Sequence, residues 1–91
     1  MSDGRTSEYV AECFWPGVRD ADLRQLDDRA HAAAADRDVR YLGSLLMVED
    51  EVVLCRFEGA ADAVREVAER ARVPFDRILA TAGSPWTAPG A

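Results

Sequence analysis

The stretch at residues 39–58, VRYLGSLLMVEDEVVLCRFE, restricts the possible folds more than any other part of the chain. β-Branched, aromatic and leucine side chains fill two apolar runs, and the strongly hydrated triplet Glu49, Asp50, Glu51 divides them. Such a pattern predicts a β-hairpin, because the runs suit a pleated, half-buried surface and the acids suit its tip.

The flanking segments alternate with this hairpin in a definite order. Residues 8–15 place Tyr9, Ala11 and Cys13 on one side and Val10, Glu12 and Phe14 on the other, as a strand would. Pro16-Gly17 ends that strand. From Asp20 or Ala21, Leu23, Leu26, Ala30, Ala33 and Ala34 recur at helical spacing, with Arg24, Asp28 and Asp36 on the wet side. This first helix is expected to fray over residues 36–38. After the hairpin and Gly59, residues 60–71 form a second helical pattern with Val64, Val67, Ala68 and Ala71 on one side. Arg65 and Glu69 are spaced for a contact one turn apart. Residues 77–82 alternate again as a fourth strand. Residues 1–7 read as a loose leader, and residues 83–91, with two prolines and two glycines, as an irregular tail.

The order β-α-β-β-α-β predicts an α+β, ferredoxin-like domain at residues 8–82, with a four-stranded antiparallel sheet in the order 4-1-3-2 and both helices on one face. Strict alternation assigns Tyr9, Ala11, Cys13, Tyr41, Gly43, Leu45, Met47, Val53, Cys55, Phe57, Ile78, Ala80 and Ala82 to the helix side. The other face then holds Val10, Glu12, Phe14, Arg40, Leu42, Ser44, Leu46, Val48, Val52, Leu54, Arg56, Glu58, Arg77, Leu79 and Thr81. So many large apolar side chains on an uncovered face forgo the stabilisation that burial supplies, about 25 cal/mol per Å². A second copy is the expected cover, giving a homodimeric, barrel-like assembly around a space lined by Glu12, Arg40, Ser44 and Arg56.

Charge limits the partners. With a net charge of -6 and a pI near 4.6, the chain repels phosphate backbones and anionic lipid, so neither nucleic acid nor membrane is an expected partner. No apolar run has the length of a signal peptide or a membrane span, and a cytoplasmic protein is the default expectation. All 11 basic residues are Arg, and Lys and Asn are absent, as in GC-rich bacterial coding sequences.

Glu12 is the leading site candidate. A carboxylate between Val10 and Phe14 requires a partner, and Arg56 and Arg40 are expected to supply one. Two readings follow: a structural ion pair that fixes a dimer, or a ligand-binding or catalytic group. His31 lies one turn from Asp27 and Asp28, which suits either a weak metal site or a solvated helix edge. The acidic triplet suits a hydrated turn or a hard cation. Cys13 and Cys55 are expected to be buried small hydrophobes, with a redox or metal pair as the alternative. Trp15 and Trp86 are expected to pack at the strand edge and a dimer rim. Glycine-rich phosphate loops, HExxH and GxSxG are absent, so no nucleotide cofactor is expected.

Several short motifs carry a further likeness. YVAE at 9–12 with WPG at 15–17, VRYLGS at 39–44, LCRFE at 54–58, ADAVREVAERA at 61–71 and VPFDRI at 73–78 occur in one order. In these motifs the chain resembles a small bacterial family of unknown function that includes a dimeric nickel-binding protein with a ferredoxin-like fold. The resemblance spans about residues 8–82. It implies a small cytoplasmic homodimer that binds Ni²⁺ or another divalent metal. Glu12, within YVAE, and His31, an imidazole suited to nickel, are the metal-ligand candidates under it. The competing reading is a small dimeric cyclase, isomerase or monooxygenase-like enzyme that takes an apolar organic substrate between its sheets. There Glu12 would act as acid or base, and Arg40, Ser44 and Arg56 would orient substrate or stabilise an oxyanion.

Overall fold

The structure is a computed structural model that describes residues 7–82. The expected leader and tail, Trp86 included, lie outside the described residues, except that Ser7 already belongs to the first strand. The elements run β1 (Ser7–Phe14), α1 (Asp20–Ala34), β2 (Val39–Met47), β3 (Val52–Gly59), α2 (Ala61–Arg70) and β4 (Arg77–Ala80). All strand pairs are antiparallel, in the order β2-β3-β1-β4, which is the ferredoxin-like arrangement.

Local chemistry sets the boundaries. At the start of α1, the Asp22 carboxylate accepts the Arg19 N–H at 2.9 Å, and Asp20 adds a second acid to the first turn. Both negative charges face the positive end of the helix dipole. At the hairpin tip, Glu51 takes a left-handed φ of 55°, and its carbonyl accepts the Trp15 N–H at 2.8 Å. Its carboxylate accepts the Gly17 N–H at 3.2 Å. The third acid of the triplet thus ties the hairpin tip to the turn after β1 and is more than a hydrated tip residue.

Just before β4, the Asp76 carboxylate accepts the Phe14 N–H at 2.7 Å, while the Asp76 N–H donates to the Glu12 carbonyl at 2.8 Å. A side chain thereby continues the ladder where β4 has not yet begun. Arg65 does not pair with Glu69; its guanidinium lies 5.6 Å from the Phe75 ring centre.

The core lies between sheet and helices. Ala11, Cys13, Val53, Cys55 and Phe57 from the sheet meet Leu26 and Ala30 of α1 and Val64, Val67 and Ala68 of α2, all fully buried. Three alanines, Ala30, Ala33 and Ala34, let α1 lie close on the sheet. Trp15 packs against this core from its edge, as expected.

One departure changes the faces. Tyr41 pairs with Phe57 and Gly43 with Arg56, so Leu42 is an extra residue on β2. This β-bulge exchanges the two sides of the strand from residue 43 onward. Gly43 takes a φ of 116°, a conformation that glycine reaches without steric strain. Contrary to strict alternation, Gly43, Leu45 and Met47 share the registers of Arg56, Leu54 and Val52 on the open face. Ser44 and Leu46 share those of Cys55 and Val53 on the helix side.

Candidate functional site

Four rows of side chains cross the open face of the sheet. Met47, Val52 and Phe14 form the first; Leu45, Leu54, Glu12 and Arg77 the second; Gly43, Arg56, Val10 and Leu79 the third; Arg40, Glu58 and Glu8 the fourth. Apolar groups therefore collect at the end near the hairpin tip, and charges at the opposite end. Phe14 is 60% exposed, Leu45 56%, Met47 42% and Leu79 38%, values that leave large apolar surface in water. A side chain at Gly43 would meet nothing within 4 Å, so the third row contains a notch beside Arg56.

The charges on this face are paired, though not as expected. Arg77 Nε donates to Glu12 Oε1 at 2.6 Å, Arg56 Nε to Glu8 Oε2 at 2.9 Å, and an Arg40 terminal nitrogen to Glu58 Oε1 at 3.0 Å. Register decides these partners: Glu12 sits opposite Arg77 of β4, while on β3 it faces Leu54. Arg56 is one row further and Arg40 lies across β3. The Glu12 contact also raises the Arg77 guanidinium above its ordinary range.

Of the four residues expected to line a common space, Glu12, Arg40 and Arg56 share the open face, and Ser44 does not. The bulge turns Ser44 under α1, where its hydroxyl donates to Asp27 Oδ1 at 2.9 Å. The Tyr41 hydroxyl donates to the same oxygen at 2.5 Å. Burial, reinforced by this hydrogen bond, pushes the Tyr41 phenol well above its ordinary range. Asp27 on α1, with Tyr41 and Ser44 on β2, is a polar cluster that the sequence reading missed. Its signal was the pair of hydroxyls at residues 41 and 44, which become neighbours on one face only if a bulge intervenes.

His31 remains exposed, and its ring meets the edge of Tyr41 at 5.0 Å between centres. Glu12 and His31 thus lie on opposite sides of the sheet and cannot share one ion within a subunit. Among the described residues, no three His, Cys, Asp or Glu side chains gather closely enough to hold a metal. Cys13 and Cys55 are free thiols with no exposed surface, diagonal neighbours on the β1–β3 ladder. The Cys55 thiol beside it, aided by burial, pushes the Cys13 thiol far up. The neighbouring Cys13 thiol draws Cys55 down against the opposing effect of burial. The donor set among the described residues of one subunit therefore does not fit a resident divalent ion.

No helix among the described residues is long and apolar enough to cross a membrane. The sequence matches no protein-family model and no curated protein. The fold is similar to that in the crystal structure of SCO4226 from Streptomyces coelicolor A3(2), with a TM-score of 0.70 and 24% identity, over 90% of this chain and 100% of that one. Likeness at this identity shows the ferredoxin-like fold, shared over nearly the whole chain.

Proposed function

We propose that the protein is a cytoplasmic homodimer, joined sheet to sheet, that binds a small and largely apolar organic ligand between the two open faces. The single observation that carries this reading is the exposure of Phe14, Leu45, Met47 and Leu79 together on one face. Covering each half-exposed side chain of this size contributes roughly 1 kcal/mol, and two copies double the number covered. The Gly43 notch supports a space within the interface, and the three ion pairs supply polar groups beside it. Glu12, Arg40 and Arg56 are the groups that would meet the ligand's polar end. The same groups serve a cyclase, isomerase or monooxygenase-like reaction if Glu12 exchanges Arg77 for a substrate proton.

The nickel reading implied by the motifs calls for ligands from two copies, since the described residues of one subunit offer no complete set. Sedimentation velocity at micromolar concentration tests the assembly: the native chain is expected to run as a dimer and Leu45→Asp as a folded monomer. A monodisperse native monomer would overturn the proposal. Calorimetric titration with Ni²⁺, Zn²⁺ and Co²⁺ on the native chain, Glu12→Ala and His31→Ala tests the metal reading. Heat that depends on both side chains would transfer support from an organic ligand to a metal.

A further inference from the structure

A second concave site lies on the far side of the molecule. The C-terminal ends of α1 and α2 border an open cleft of about 420 Å³, lined by Arg29, Ala32, Ala33, Arg70, Ala71 and Arg72. Three of its six lining residues are arginines and the other three are alanines. In a chain of net charge -6, this concentrates positive charge against the overall field.

The arginines are only partly neutralised. Arg29 Nε donates to the Ala71 carbonyl at 2.8 Å, and a terminal nitrogen donates to the Arg72 carbonyl at 3.4 Å. These contacts anchor one edge of the guanidinium without cancelling its charge. Arg70 approaches Asp36 at 3.9 Å, with both side chains about half exposed or more. Among the described residues, neither Arg29 nor Arg72 has a carboxylate within ion-pair distance. One acid against three guanidiniums leaves a formal excess of two positive charges at the cleft, which the negative ends of the α1 and α2 dipoles, worth about half a charge each, reduce without reversing.

The backbone adds an independent observation. The N–H of Arg72 bonds the Glu69 carbonyl at 3.0 Å, and the N–H of Val73 bonds the Ala68 carbonyl at 3.0 Å. This is the Schellman closure of α2, in which the residue at Arg72 must be left-handed; its φ is 58°. Glycine is the usual occupant because a Cβ is disfavoured there. An arginine at this position keeps a guanidinium on the cleft at a conformational cost that glycine would avoid.

We propose that this cleft binds a phosphate dianion, either free or as the end group of a small organic phosphate. The guanidiniums outweigh both Asp36 and the two helix ends, so the cleft attracts an anion, and guanidinium forks are shaped to donate paired N–H bonds to phosphate oxygens. The three alanines of the lining are small and apolar, which suits an organic substituent on the anion.

The test is a titration of the full chain, followed residue by residue through its amide NMR signals. Inorganic phosphate and phenyl phosphate are added in separate arms, with acetate at equal ionic strength as control. Saturating shifts are expected at the ends of α1 and α2, with millimolar affinity for inorganic phosphate. Tighter binding of phenyl phosphate assigns an organic phosphate; equal binding assigns the free ion. Arg72→Gly removes the guanidinium and relieves the left-handed strain, so it is expected to melt no lower than the native chain while binding about tenfold more weakly. Arg70→Gln is expected to weaken binding in the same direction. Non-saturating shifts in both phosphate arms, undiminished affinity in Arg72→Gly, or equal saturation by acetate would each overturn the site.

Discussion

Replacing Asp27 with alanine should destabilise the domain by about 2 kcal/mol, although alanine is the better helix former. The Asp27 carboxylate accepts hydrogen bonds from both Tyr41 and Ser44, and Tyr41 is only 7% exposed. A hydrogen bond to a charged acceptor contributes about 1.5–3 kcal/mol, and a buried hydroxyl left without a partner costs about 1–3 kcal/mol. Ser44 is half-buried and recovers part of its loss from water, so Tyr41 dominates. Alanine in place of aspartate within α1 returns at most roughly 0.7 kcal/mol. The net loss corresponds to a fall in Tm of about 8–16 °C for a domain of this size. Urea unfolding followed by circular dichroism, with native and variant chains at one fixed protein concentration so that assembly contributes alike to both, measures it. The double variant with Tyr41→Phe separates pairing from packing, because removing both partners should cost less than the two single losses together, by about 1 kcal/mol or more. An Asp27→Ala protein within about 0.5 kcal/mol of native, the size of an ordinary surface substitution, would refute the cluster's role.

Two further outcomes follow from the titrating groups. Because the folded-state pKa of Tyr41 lies above the unfolded value near 10, its contribution is complete below that pH and is lost as pH rises towards the folded pKa. Alkaline urea titrations should therefore show a steeper stability loss in the native chain than in Tyr41→Phe, and equal slopes would remove Tyr41 as the cause. The thiols should react with a disulfide reagent only as the domain opens, since both are fully buried, and mass spectrometry should show labelling that tracks unfolding. Complete labelling within the mixing time would contradict that burial.

Element order was legible because each pattern carries its own period: alternating in β1 and β3, helical in α1 and α2. Sheet order followed from connectivity rules. The open apolar face was also legible, since Phe14, Leu54 and Leu79 keep their expected side. Pairing partners were not, because Glu12 selects between Arg56 and Arg77 by register, and register depends on backbone hydrogen bonding between strands distant in sequence. Ser44 was misplaced for a related reason. Gly43 permits a bulge without announcing one, and a single extra residue reverses every assignment that follows it. The arginine cleft escaped notice because its members lie on two helices and a turn, separated by about 40 residues and united only by packing.

The irregularity at Leu42 also bears on how relatives of this chain would be compared. A protein that lacks one residue there would present the same chemistry to each side of its sheet with its letters displaced by one. Matching the two chains by alternating hydropathy would then run out of phase from Gly43 to Met47, setting Ser44 against residues that face water. Kinship across that segment is better sought by superposing backbones, and the length of β2 carries as much inheritance as its composition.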